Sequence, residues 1–237
     1  MSEVGLTAGV LGGLGPDATV DFMSRVIALT PASTDQDHVR LLVDQNPRVP
    51  DRQDAILRNG ESPGPVLAAM AAGLEAAGAD FVVMPCNTAH AFEADIVGAI
   101  SIPFISIVDA SIESLPVGVT AVGLLETPAC SQLNLYGAAL SERGLRQVSL
   151  EGDEREELMR LVYAIKGGDR VGPVRSAMKN LAVALASRGA EAIISGCTEV
   201  PLVLADKDID VSLISSTEAL ARETIAIARG EHPLPTT

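Results

Sequence analysis

The stretch Phe81-Val82-Val83-Met84-Pro85-Cys86-Asn87-Thr88-Ala89-His90 is an apolar, β-branched run that stops at a thiol and turns into a helix-like segment. Such a run reads as a buried parallel strand, here presenting Cys86 at its C-terminal end. A second copy stands downstream as Ala192-Ile193-Ile194-Ser195-Gly196-Cys197-Thr198-Glu199. The approaches match too, with Gly78-Ala79-Asp80 before one cysteine and Gly189-Ala190-Glu191 before the other. Two thiols in equivalent places of two similar units can face each other across one cleft.

Outward from these strands the duplication continues. Leu6-Thr7-Ala8-Gly9-Val10-Leu11 reads as a strand and is echoed by Val119-Thr120-Ala121-Val122-Gly123-Leu124-Leu125. Gly64-Pro65-Val66-Leu67-Ala68-Ala69-Met70 opens a helix and is echoed by Gly172-Pro173-Val174-Arg175-Ser176-Ala177-Met178. Strands alternating with helices of this length indicate α/β architecture with parallel sheets. The expected fold is therefore two similar parallel-sheet α/β domains related by pseudo-two-fold symmetry, with the active site in the cleft between them. The break falls near Leu115-Pro116-Val117-Gly118. Val211 to Ser215 reads as one more strand, followed by a helix from Thr217 to about Ala228, both returning to the first unit. The first domain is then residues 1–115 with 209–237, and the second 116–208.

The connecting loops carry further candidates. Gly12-Gly13-Leu14-Gly15-Pro16 follows the first strand, and Pro16 suits the first turn of a helix through Phe22, Val26 and Leu29. A glycine loop there can aim backbone N–H groups, that of Gly13 included, at an anion, or can be a tight strand-to-helix turn. Gly13 to Ala18 also fits a relaxed dinucleotide fingerprint, a short and common pattern. Val39 to Val43 is a second strand, leading into Asn46-Pro47-Arg48-Val49-Pro50-Asp51-Arg52. Arg48 and Arg52 at this strand end are candidate anion clamps, or solvated loop arginines. Ile100 to Val108 reads as another buried strand.

Composition narrows the function. The chain has 237 residues, 47% of them hydrophobic, and a formal charge of −14. That charge argues against nucleic acid and anionic membranes as partners, and obliges an anionic substrate to find a local cationic pocket. There is no 18-residue uncharged run, so no membrane span is expected. Residues 1–5 lack the basic region of a signal peptide. Three cysteines are no disulfide framework, and the expected home is the reducing cytoplasm. Lys166, Lys179 and Lys207 are the three lysines, which leaves little room for Schiff-base chemistry.

Two opposed thiols suit one reaction well. A thiol and a thiolate on opposite faces of an sp³ carbon remove a proton from one face and return one to the other. That is two-base racemisation, with the roles exchanged for the two enantiomers. A cysteine where a helix begins has its pKa of about 8.5 readily lowered. Asn87, Thr88 and Thr198 can hydrogen-bond a thiolate or a substrate carboxylate. Free cysteine is more often an inert core residue, which is the reading given to Cys130. Cys86, His90 and Cys197 form an incomplete zinc set without a fourth ligand, so no metal is expected. A Cys86–His90 nucleophile pair is the other use of His90; a satisfied helix residue is the plainer one.

These motifs, Gly12 to Pro16, Asn46 to Arg52, Met84 to His90, and Gly196-Cys197-Thr198-Glu199-Val200, resemble in order the signatures of the aspartate/glutamate racemase family, closest to the aspartate racemases. The likeness covers nearly the whole chain. It implies a cofactor-independent isomerase acting on a small amino acid, aspartate or a related acidic one, and a homodimer. It implies proton transfer by Cys86 and Cys197 and substrate carboxylate binding by Arg52 and Lys166. Two loops depart from the family. Glu126-Thr127-Pro128-Ala129-Cys130 keeps only Thr127 of an Ala-Thr-x-Gly-Thr loop, and Ile214-Ser215-Ser216 replaces Ile-Asp-Thr or Ile-Asp-Pro. Glu126 would repel a second substrate carboxylate if it points inward. The superfamily's decarboxylases and cis–trans isomerases, and a non-catalytic two-lobed binding protein, are the competing readings.

Overall fold

The structure is a computed structural model that describes residues 5–235. The reading of the first residues as lacking a basic signal region falls, Gly5 apart, outside the described residues. The chain divides into two compact units. The first runs to Ile107 and resumes at Thr217; the second is Val108–Ser216.

The first unit contains β1 (Ala8–Gly12), α1 (Pro16–Leu29), β2 (Leu41–Gln45), α2 (Arg52–Arg58), α3 (Gly64–Ala76), β3 (Phe81–Val83), α4 (Glu93–Val97), β4 (Phe104–Ile105) and the first residue of α5 (Ile107–Glu113). The second contains the rest of α5, then β5 (Ala121–Leu124), α6 (Pro128–Gln132), α7 (Leu135–Glu142), β6 (Arg146–Ser149), α8 (Asp153–Lys166), α9 (Gly172–Ser187), β7 (Ala192–Ser195) and β8 (Ser212–Ser215). From Ser216, α10 (Ser216–Ala228) takes the chain back to the first unit.

Each unit holds one four-stranded, all-parallel sheet. The orders are β2-β1-β3-β4 and β6-β5-β7-β8, the same topology twice. The central strands β1, β3, β5 and β7 are buried at every residue, while the edge strands are mixed. This explains why the central strands read as unbroken apolar runs.

The duplicated Thr-Ala and Gly-Ala-acid motifs have one structural purpose. The Asp80 carboxylate accepts from the Thr7 backbone N–H at 2.7 Å, and Glu191 accepts from that of Thr120 at 2.6 Å. Each acid thus ties the start of a cysteine strand to the start of its neighbour. Gly9 and Gly123 permit a second repeated contact. A Cβ on Gly9 would lie 3.0 Å from the Ala79 Cβ and 3.2 Å from that of Leu74; on Gly123, 3.0 Å from Ala190 and 3.2 Å from Leu185. Both cysteine strands are preceded by a glycine in the left-handed region, Gly78 at φ +94° and Gly189 at φ +87°. No other residue takes that conformation readily.

The helices follow their sequence signals. Pro16 opens α1 at its first turn with Asp17 beside it, and the helix buries Phe22 and Val26. Leu67, Met70 and Leu74 of α3 face the first core, together with Ala71. Full burial of one such side chain is worth about 1.5–3 kcal/mol.

Three elements differ from the sequence reading. β2 starts at Leu41 rather than Val39. The apolar run Ile100–Val108 is not one strand: β4 is two residues long and α5 starts at Ile107. The strand at Ser212–Ser215 pairs in parallel with β7, so it completes the second sheet instead of returning to the first. Only the helix after it goes back.

Candidate active site

Both cysteines stand at the C-terminal ends of central strands, where α/β sheets present their ligands. Cys86 is 6% exposed and follows β3 through Met84 and Pro85. Its N–H donates to the Met84 carbonyl at 2.8 Å, a tight turn that lifts the thiol off the strand axis. A 3₁₀ turn, Thr88–Phe92, begins two residues later, with buried Asn87 at its cap. Thr88 accepts from the Gln53 side chain of α2 at 3.4 Å.

Cys197 is also 6% exposed and follows β7 through Gly196. Its surroundings are charged. The Cys197 thiol donates to Glu199 Oε2 at 3.0 Å, and Lys166 Nζ lies 3.5 Å from Glu199 Oε1. Burial, and then the adjacent Glu199 carboxylate, push the Cys197 thiol well above its ordinary value. The Glu199 backbone N–H and Lys166 work in the opposite direction. Cys197 is therefore the protonated thiol at neutral pH. Glu199 was not among the residues singled out from sequence, although Gly-Cys-Thr-Glu places an acid two residues past the thiol. Thr198 is buried beside it, 2% exposed.

The remaining expected residues sort into three groups. Lys166, at the last turn of α8, is brought to the Cys197 loop through its Glu199 partner. Thr127 caps α6, accepting from the Cys130 N–H at 3.4 Å, and is buried. Arg52 is a buried staple: Nη1 donates to the carbonyls of Val49 at 3.3 Å and Pro50 at 3.0 Å, and Nη2 to that of Leu14 at 3.1 Å. It ties the proline loop to the glycine loop. Gly13 is held at φ +88°, with Asn46 backbone atoms 2.4–2.6 Å from where a Cβ would be. Its N–H donates to Thr19 Oγ1 at 2.9 Å, so that donor is spent on the first turn of α1. The glycine loop is here a tight strand-to-helix turn.

Glu126 stands in the loop between β5 and α6. It is 8% exposed; Oε1 accepts from the Gln147 amide at 3.3 Å, and Oε2 accepts no hydrogen bond among the described residues. Burial pushes its carboxyl up to about 7, tempered by the Ser131 hydroxyl and by Arg155. With Pro128, Ser131, Ser149 and Arg155 it lines a small pocket of the second unit.

His90 spends both ring nitrogens on backbone. Nδ1 lies 2.9 Å from the Cys86 carbonyl oxygen, and Nε2 3.0 Å from the Ile107 nitrogen. It offers neither to the thiol nor to a metal, which removes the Cys86–His90 pair. Among the described residues no group of three or more His, Cys, Asp or Glu could hold a metal ion. Cys130 is wholly buried in α6. No helix among the described residues is long and apolar enough to cross a membrane.

Comparison with known proteins agrees with these features. The chain is 29% identical over 222 residues to the broad specificity amino-acid racemase RacX of Bacillus subtilis, spanning 92% of this chain and 96% of that one. Among solved structures it resembles the Picrophilus torridus aspartate racemase, with a TM-score of 0.86 and 29% identity over 98% of this chain and 96% of the other. The fold is shared with the glutamate racemase of Francisella tularensis, TM-score 0.70 and 20% identity, covering 99% of this chain and 85% of that one. The model of the Asp/Glu/Hydantoin racemase family matches residues 11–224. With two parallel α/β sheets, each carrying a cysteine just past the end of a central strand, this chain belongs to the Asp/Glu/hydantoin racemase family.

Proposed function

We propose that Cys86 and Cys197 are the two bases of a cofactor-independent amino-acid racemase, and that the resting enzyme holds Cys197 as the acid. The observation that carries this is the Cys197 S–H donated to Glu199 at 3.0 Å within a buried loop. In one direction the Cys86 thiolate takes the Cα proton, and the Cys197 thiol delivers its own to the opposite face. In the other direction Cys197 must first be a thiolate. Glu199 is placed to receive that proton, and Lys166 to balance the carboxylate as it changes charge.

The substrate reading is aspartate or a related acidic amino acid, held by Lys166 and by the donors of Arg52 not directed at carbonyls. Asn87, Thr88, Thr127 and Thr198 complete the binding set, while Gly13, its N–H given to Thr19, serves by shaping the glycine loop. A homodimer in the cytoplasm belongs to the same reading. The buried Glu126 supports a second substrate class, a neutral or amine-bearing side chain, because the fraction of it ionised near neutral pH opposes a second substrate carboxylate. The breadth of RacX named in Bacillus subtilis lends support to that class.

The deciding experiment incubates the protein with single amino-acid enantiomers in deuterated water. Cα deuteration with chiral inversion is expected, on aspartate before alanine or lysine. Binding without exchange, or loss of carboxyl carbon as CO₂, overturns the racemase assignment. Inversion of lysine or alanine in preference to aspartate transfers the assignment to the Glu126 class.

A further inference from the structure

Two buried side chains beside the cysteines take no part in the proton transfers above, yet each is bonded at both ends. His90 is 6% exposed and its ring packs on Phe104, centroids 5.2 Å apart. The Ile107 N–H can only donate, so Nε2 accepts; Nδ1 then carries the ring proton and donates to the Cys86 carbonyl. The ring is a rigid bar between the cysteine and the first residue of α5. In the second unit Ser195, wholly buried, donates to the Ile214 carbonyl at 3.1 Å and accepts from the Ser216 N–H at 3.3 Å. Ser216 returns a bond from its hydroxyl to the Ser195 carbonyl at 2.7 Å.

These contacts are equivalent. β4 followed by α5 corresponds to β8 followed by α10 in the repeated topology. Ile107 and Ser216 are the residues at which the chain leaves each unit. In both units a side chain close to the cysteine in sequence, His90 just after one and Ser195 at the end of β7 before the other, captures the first backbone N–H of the departing helix. The residues differ: a histidine four positions after one thiol, a serine two positions before the other. Common descent of the repeats does not supply such a match, so the mechanical task itself recurs.

We propose that His90 and Ser195 are matched positioning residues, each fastening its cysteine loop to the residue where the chain leaves that unit. Fixing the Cys86 carbonyl fixes the backbone torsions that aim its thiol. Fixing Ser195 fixes the end of β7, and with it Cys197. A buried network of this kind is costly when half satisfied.

The inference rests on the two-thiol reading, so the test includes a readout that needs no activity. Native protein and variants are alkylated with iodoacetamide in substoichiometric amounts, and each cysteine is followed by peptide mass mapping. His90→Phe should change the Cys86 rate at least five-fold and leave Cys197 within two-fold; Ser195→Ala should do the reverse. In steady state both should lower kcat roughly 10- to 100-fold with KM within about three-fold. His90→Asn keeps a donor for the Cys86 carbonyl, and His90→Gln an acceptor for the Ile107 N–H; if His90→Phe does not fold, these decide. Asn should restore Cys86 reactivity more than Gln does. Equal changes at both thiols, no change at either, or a KM effect without a kcat effect overturns the proposal. Racemisation surviving in Cys86→Ser or Cys197→Ser overturns the two-thiol reading instead, while the alkylation result still stands.

Discussion

The two cysteine loops share a sheet position and a burial, and differ in charge. Around Cys86 the structure places a neutral histidine bonded to the backbone, with Asn87 and Thr88. Around Cys197 it places a carboxylate that accepts a hydrogen bond from the thiol, and an ammonium beyond it. The difference shows what duplication leaves free. Strand order and helix contacts are held in common, because both cores need them. The residues next to each thiol diverge, as the proposed two-thiol mechanism asks, since it starts each turnover with one thiol protonated and the other not.

The sharpest way to break the comparison is to remove the thiols singly. Cys86→Ser and Cys197→Ser should each reduce racemisation by roughly 10²–10⁴-fold, the usual worth of a positioned acid–base group. Polarimetry from both enantiomers checks this. If only one loop mattered, one variant would keep most of its rate. Cys130→Ser should stay within about three-fold.

Glu199→Gln tests the charged side alone. Losing a charge-assisted bond costs about 1.5–3 kcal/mol, or roughly 10- to 150-fold in kcat/KM. Removing the carboxylate also lowers the Cys197 thiol, so the pH at which Cys197 alkylates should fall while that of Cys86 holds. Lys166→Ala should cost about ten-fold on aspartate and less on alanine, measured as kcat/KM for each. Equal losses on both would assign Lys166 to Glu199 rather than to a substrate side chain. Arg52→Lys keeps the charge but loses the fork that reaches three carbonyls, so it should lower the melting temperature as well as the rate.

The last expected effect concerns stability and not rate, and it has opposite signs in the two units. Burial pushes His90 down to about 4 from an ordinary 6.5. Neutral His90 therefore contributes stability above pH 6.5, and this is lost as pH falls through 4, by about 3 kcal/mol at most. Glu126 is pushed up to about 7 from 4.5. Its contribution is whole below pH 4.5 and is lost as pH rises through 7. Glu126→Gln should flatten the alkaline side of a melting-temperature profile and leave the acid side unchanged. An unaltered alkaline side would place Glu126 in contact with solvent.

Much of this was readable in the chain. Phe81 to Cys86 and Ala192 to Cys197 carry their own strand signal, because a strand buried on both faces needs no alternation. Gly78 and Gly189 mark where the chain must adopt a backbone that other residues resist. The short β4 was hidden, since Ile102 to Val108 is apolar whether it serves strand or helix; Ser106 with Asp109 three residues on was the cue to a helix start. The partner of β8 was not readable, as no local pattern names the neighbour of an edge strand. Arg52 reads as a ligand clamp because its carbonyl partner at Leu14 is 38 residues away. Glu199 and Ser195 stood in the quoted motifs, but their roles depend on distances that only folding creates.

The paired glycines on β1 and β5 have a consequence for how such an enzyme changes over time. With no side chain at Gly9 or Gly123, the gap between sheet and helix is set by backbone against the β-carbons of Leu74 in α3 and Leu185 in α9, 3.2 Å from where a methyl would stand. That gap is already minimal, so it cannot be narrowed, and widening it by one methyl displaces a whole helix. New specificity therefore has to be written in the loops, one side chain at a time, over a chassis with no intermediate settings.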